Sequence, residues 1–142
     1  MTTHGSASPS YIRAQQEHLD RCEEGLDDLK DLLAQREWTS FEEAAAERYL
    51  QILIESCIGV AKHWAKKETG YVYSEARQAF ASLADRGLIE SRIPWRGIIG
   101  LRNVLVHDYL EVDPEIVQDV IKNAHYHDLL SFGRTALKAL ES

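Results

Sequence analysis

Leu19, Cys22, Leu26, Leu29 and Leu33 recur at alternating steps of three and four residues. That spacing puts all five on one face of an α-helix and leaves an acidic face opposite. The same period returns in Leu50, Leu53, Ile54, Cys57, Ile58 and Ala61, and again in Ala76, Phe80 and Leu83. No segment alternates apolar and polar with period two, and no Asn-Gly or Asp-Gly hairpin signal occurs. A chain so patterned can bury its apolar surface only by packing helices on one another.

The helix ends are also written in the sequence. Ser8-Pro9 reads as an N-cap followed by a first-turn proline, opening a helix that should end near Glu37. Thr39-Ser40-Phe41-Glu42-Glu43 holds two overlapping capping boxes, so a second helix is expected from about Phe41 to Lys66, with Gly70 beyond its end. Ser74 is the expected cap of a third helix, which Gly87 stops. Pro94 opens a fourth, expected to reach about Tyr109. Asp113-Pro114 opens a fifth, expected to continue to about Leu140. About five helices with short links give an all-α, antiparallel bundle. At 142 residues it is expected to be one domain, residues 9–142, behind a flexible tail, residues 1–8.

Charge and cysteine usage narrow the function. The formal net charge is −7, which argues against a general nucleic-acid binder. The distribution is uneven: residues 62–102 hold eight cations against four carboxylates. A local positive surface on an acidic body is one reading of that stretch, and solvated helix faces are the other. Cys22 and Cys57 are far apart and fall on apolar stripes, which suits core packing in a reducing cytoplasm better than a disulfide or a nucleophile. No secretory leader is apparent in the first ten residues, and the apolar runs are too short for a membrane span.

Most of the chemically capable side chains have a plainer explanation. His125 and His127 are two apart, hence about 200° round a helix, and cannot share one metal ion. His63 lies near a helix end, as a dipole-stabilised or surface histidine would. Gly97 and Gly100 match no phosphate-binding loop, and two small residues three apart suit close helix approach. No metal or cofactor is expected. The exception is Leu101-Arg102-Asn103-Val104-Leu105-Val106-His107-Asp108-Tyr109. On a helix, Ile98, Leu101 and Leu105 share one face, while Asn103 and His107 are i,i+4 neighbours on nearly the opposite one. Arg102 lies about 140° from His107, so the spacing permits a joint site without forcing one. An arginine can hold a phosphate, a histidine can move protons near neutral pH, and an asparagine can orient either. Such a trio could cleave RNA without a metal, using the 2′-OH as internal nucleophile. The plainer reading is an amphipathic helix end with a surface polar network.

The segment Arg102-Asn103-Val-Leu-Val-His107 resembles the RxxxxH motif of the HEPN superfamily, and His107-Asp108-Tyr109 extends the likeness to its HepT-like ribonuclease toxins. Glu47–Ile58 with Ala61-Lys62-His63 resembles the second helix of that family, and Glu75–Leu88 resembles the third. The likeness runs from about Tyr11 to Leu140. It implies a HEPN-like bundle that dimerises around the RxxxxH helix, bringing two motifs into one cleft. It further implies a metal-independent endoribonuclease toxin of a type II-like or type VII toxin–antitoxin pair, with tRNA as substrate. Arg102 would bind the scissile phosphate, His107 would transfer the proton and Asn103 would position both. A minimal nucleotidyltransferase antitoxin would add AMP to Tyr109, although Tyr109 also falls at a packing angle close to Ile98 and Leu105. Arg92, Arg96, Lys62 and Lys66 are the expected RNA contacts. The alternative is a non-catalytic HEPN module that binds a nucleotide or serves as a regulatory subunit of a nucleotidyltransferase.

Overall fold

The computed structural model describes residues 7–107 and 111–142; the expected tail falls largely outside them. Six helices follow one another: α1 (Pro9–Gln35), α2 (Ser40–Thr69), α3 (Ala76–Asp85), α4 (Trp95–Val106), α5 (Pro114–Lys122) and α6 (Tyr126–Glu141). Among the described residues there is no strand, and no helix is long and apolar enough to cross a membrane.

The caps explain most of these boundaries. Ser8 Oγ accepts from Tyr11 N–H to start α1. Thr39 and Glu42 close a capping box on α2, and Gly70, at φ +75°, ends it in a left-handed turn that only glycine adopts without cost. The overlapping Ser40–Glu43 box is not used. Asp113 accepts from Glu115 N–H at the start of α5.

Some expected boundaries are corrected. Ser74 does not cap α3: Glu75 is its N-cap, and the Ser74 carbonyl is instead held by Lys62 Nζ at 2.9 Å. The fifth helix is two, broken at Asn123–His125, where Ala124 sits at φ +56°. The break lets Tyr126, fully buried, turn inward and donate its hydroxyl to Asp27 of α1. Burial of that ring offsets a strained alanine that sequence gives no glycine to relieve.

α2 is the axis, touching every other helix. Tyr49–Cys22, Ser56–Gln15 and His63–Tyr11 contacts run it antiparallel to α1. Contacts of Cys57 with Leu129, Trp64 with Phe132 and Lys67 with Ala139 run α6 parallel to it. The bundle is thus not antiparallel throughout, because α3 to α5 carry the chain back before α6 begins. An aromatic cluster of Trp64, Phe80, Trp95 and Phe132 ties α2, α3, α4 and α6 together, with the Phe80 and Trp95 rings stacked at 3.9 Å. That cluster fixes α4, whose far end carries the candidate site.

Candidate functional site

α4 is held by a short inner face. Trp95 and Leu105 are buried, and Ile98 and Leu101 are half-buried against the core. Val106 is already 43% exposed, and the helix stops there. His107 is therefore not inside the helix as the periodicity suggests; it is the C-cap, with φ −94° and ψ 102°. Those angles are extended, so the chain turns out of the helix at His107. Both residues are exposed. Tyr109 lies outside the described residues.

Arg102 and Asn103 are joined directly. Arg102 Nε donates to Asn103 Oδ1 at 2.9 Å, and Arg102 Nη1 donates to Glu55 Oε1 of α2 at 3.0 Å. The guanidinium is thus oriented from two sides, with Nη2 uncommitted among the described residues. Glu55 was not evident from sequence, since 47 positions separate it from Arg102.

Arg102 and Asn103 line a cleft of about 450 Å³ between α2, the start of α3 and α4. Lys62, Arg77 and Arg96 line it too, with Glu75 as its carboxylate. Two of the four expected RNA contacts, Lys62 and Arg96, therefore share the cleft with Arg102 and Asn103, while His107 is not among its lining residues. Lys66 is half-buried one turn beyond Lys62 and does not line it. Arg92 stands elsewhere: it is paired with Glu90 and forms two hydrogen bonds of 3.1 Å to Asp128. Two carboxylates neutralise it and hold its guanidinium above its ordinary pKa, so it offers little field to a polyanion. Arg77 joins the cleft unannounced, although it belongs to the basic stretch seen in the sequence.

The other histidines, cysteines and glycines take structural places. His125 and His127 diverge, their Nε2 atoms 3.6 Å from Asp119 and 3.4 Å from Asp27. His63 is half-buried: it packs on Tyr11 at 4.3 Å, and burial, followed by Lys66, lowers its pKa. Cys22 and Cys57 are buried as expected; Cys57 Sγ donates to the Leu129 carbonyl, and burial pushes Cys22 up to about 11. Gly97 and Gly100 do not serve close helix approach, since a Cβ at either would meet nothing within 4 Å. They face outward, Gly100 into the basic cleft.

Comparison with known proteins gives one answer. The profile of the ribonuclease HepT-like family matches residues 16–136. The mRNA nuclease HepT of Shewanella oneidensis is 33% identical over 85 residues, which cover 58% of this chain and 63% of that relative. The tri-AMPylated HEPN toxin of Shewanella oneidensis, solved in complex with its MNT antitoxin, superposes with a TM-score of 0.76. That match is 25% identical and covers 90% of this chain and 97% of the toxin. A solved toxin–antitoxin assembly with AMP-PNP has the same fold, at TM-score 0.73 and 23% identity over 91% of this chain and 99% of that one.

Proposed function

The chain belongs to the ribonuclease HepT-like family, and from that premise we propose that it is the toxin of a toxin–antitoxin pair, an endoribonuclease that cuts RNA without a metal ion. The observation that carries the proposal is the Arg102–Asn103 pair at the mouth of the basic cleft, with His107 capping the same helix. Arg102 holds the scissile phosphate and stabilises the charge that builds on it. The 2′-OH attacks phosphorus and the 5′-oxygen leaves. His107 carries the proton transferred in that exchange, and Asn103 positions the guanidinium. The products are a 2′,3′-cyclic phosphate and a 5′-hydroxyl.

Asn103 and His107 face outward from their own core, which suits pairing of two α4 ends. In such a homodimer two motifs face one cleft and their positive fields add. A minimal nucleotidyltransferase antitoxin transfers AMP from ATP to the Tyr109 hydroxyl with release of pyrophosphate, and the added bulk and negative charge oppose RNA binding. The AMPylated Shewanella toxin supports this reading. The protein acts in the cytoplasm, where RNA is present and Cys22 and Cys57 stay reduced. The family likeness points to tRNA as substrate, while the Shewanella relative is named for mRNA. One observation favours the alternative of a non-catalytic, nucleotide-binding module: Arg102 already has a carboxylate partner in Glu55.

The test is incubation of wild type and His107→Ala with total RNA in excess EDTA, with an intact mass read on each sample. Discrete products from unmodified wild type alone are expected, and their sequenced ends separate tRNA from mRNA. Cleavage by His107→Ala refutes the assigned chemistry. An unmodified, inert wild type leaves the binding module as the function.

A further inference from the structure

A second cleft, of about 560 Å³, lies between α1 and α2 on the other side of Glu55. Its walls are set by two reciprocal contacts. A Cβ built on Gly25 of α1 would stand 2.4 Å from the Tyr49 ring of α2. One built on Gly59 of α2 would stand 2.9 Å from the Tyr11 hydroxyl of α1. The Tyr49 ring therefore occupies space that only a glycine at position 25 leaves open, and the Tyr11 hydroxyl stands close against Gly59. Deeper in, Ser56 Oγ donates to Gln15 Oε1. Burial pushes the Tyr11 phenol up to about 12, so its hydroxyl remains a neutral donor.

The rim is cationic. Arg21 and Arg48 are exposed, line the cleft and make no ion pair among the described residues. His18 stands beside them. The acidic face of α1 looks elsewhere, with Asp20 and Glu23 held by Arg134 of α6 at 3.0 and 2.8 Å. The cleft's one carboxylate, Glu55, is already hydrogen-bonded to Arg102. Glu55 lines this cleft and Arg102 lines the other, so their ion pair is the partition between them.

We propose that the α1–α2 cleft is a second subsite of the same centre, seating an unpaired nucleotide of the RNA next to the phosphate on Arg102. Its base lies against Tyr11 and Tyr49, and its phosphate lies on Arg21 and Arg48. The proposal rests on the RNA-cleaving reading above. Single-stranded RNA is held by aromatic faces, guanidinium groups and a cationic track, and this cleft supplies all three within reach of the motif. Its volume suits a nucleotide-sized ligand. A protein partner would favour a more apolar centre than a wall of arginine, histidine and glutamine.

The test uses the full chain carrying His107→Ala, so that cleavage does not consume the probe. A fluorescein-labelled, unstructured oligouridylate is titrated by anisotropy at several salt concentrations. Adding Arg21→Ala and Arg48→Ala is expected to weaken binding roughly tenfold and lower the salt slope by about 0.7, the value for one lost single-strand phosphate contact. Both arginines are exposed, and a melting curve checks the fold. Photocrosslinking of 4-thiouridine RNA to the otherwise unsubstituted His107→Ala chain should mark peptides holding Tyr11 or Tyr49. Unchanged affinity and slope overturn the subsite, as does loss of a dimer or of antitoxin binding with RNA affinity intact. Wild type is assayed for cleavage in parallel. If it cuts RNA while the double substitution leaves binding unchanged, only the subsite fails. If it does not cut but binding depends on Arg21 and Arg48, the nuclease fails and the subsite stands.

Discussion

Replacing Arg102 with lysine keeps the charge and removes the geometry, so it isolates what the guanidinium contributes. Arginine carries five N–H donors in a planar fork; lysine has three on one flexible nitrogen. Among the described residues Nε is spent on Asn103 and one Nη1 proton on Glu55, which leaves Nη2 for a phosphate. A lysine ammonium cannot hold Asn103, Glu55 and phosphate at once from a fixed position. Losing one positioned donor to a developing oxyanion costs about 2.7–4 kcal/mol, a factor of 10² to 10³ in kcat. Stability should barely change. The Arg102 and Glu55 side chains are 25% and 47% exposed, and exposed pairs contribute about 0.2–1 kcal/mol. In a chain of this size that is a fall in Tm of less than about 4 °C. Single-turnover cleavage of RNA in EDTA, with a thermal melt on the same samples, separates the two effects. A rate within a factor of about three of wild type corresponds to under 1 kcal/mol of barrier and would refute the assigned role.

Three further outcomes are expected. Gly25→Ala drives a methyl into the Tyr49 ring, an overpacking expected to cost about 1–3 kcal/mol, or roughly 2–4 °C in Tm per kcal/mol. Adding Tyr49→Leu should recover much of it, and equal losses in both proteins would show that the ring is not the obstacle. The Glu42 carboxyl is lowered to about 2, first by Arg36 and then by the Thr39 N–H. A depressed pKa contributes stability above the ordinary value of 4.5 and loses it as pH falls towards 2. Wild type should therefore melt above Glu42→Gln near neutral pH, with the gap closing by about pH 2; a gap that widened in acid would contradict this. Tyr109→Phe should still cut RNA yet gain no AMP when co-expressed with its nucleotidyltransferase, and a full-stoichiometry adduct by intact mass would move the target elsewhere.

The fold was legible where one residue decides locally. Ser8, Thr39 with Glu42, Gly70 and Asp113 each mark a helix end by a bond made within a few positions. It was illegible where tertiary contact decides. Nothing in Lys122-Asn123-Ala124-His125 announces a break; the buried Tyr126 and its bond to Asp27, 99 positions away, impose it. Ser74 reads as a cap, but the loop presents its carbonyl to Lys62. The candidate site divides in the same way. Arg102, Asn103 and His107 are neighbours in sequence and could be singled out by spacing. Glu55, Arg77 and the α1–α2 cleft come from separate helices, and each is an ordinary residue type until the bundle places it. Arg92 looked as good a cation as Arg96, and its pairing with Glu90 and with Asp128 on α6 sets it apart.

The most direct test of the central claim is the chemistry of the cut ends. RNA cleaved by the unmodified protein in EDTA should carry a 2′,3′-cyclic phosphate and a 5′-hydroxyl, and a single 2′-deoxy substitution at the cut site should abolish cleavage there. Ends bearing a 3′-hydroxyl and a 5′-phosphate, or cutting that persists at the 2′-deoxy position, would contradict attack by the 2′-OH and the roles given to Arg102 and His107.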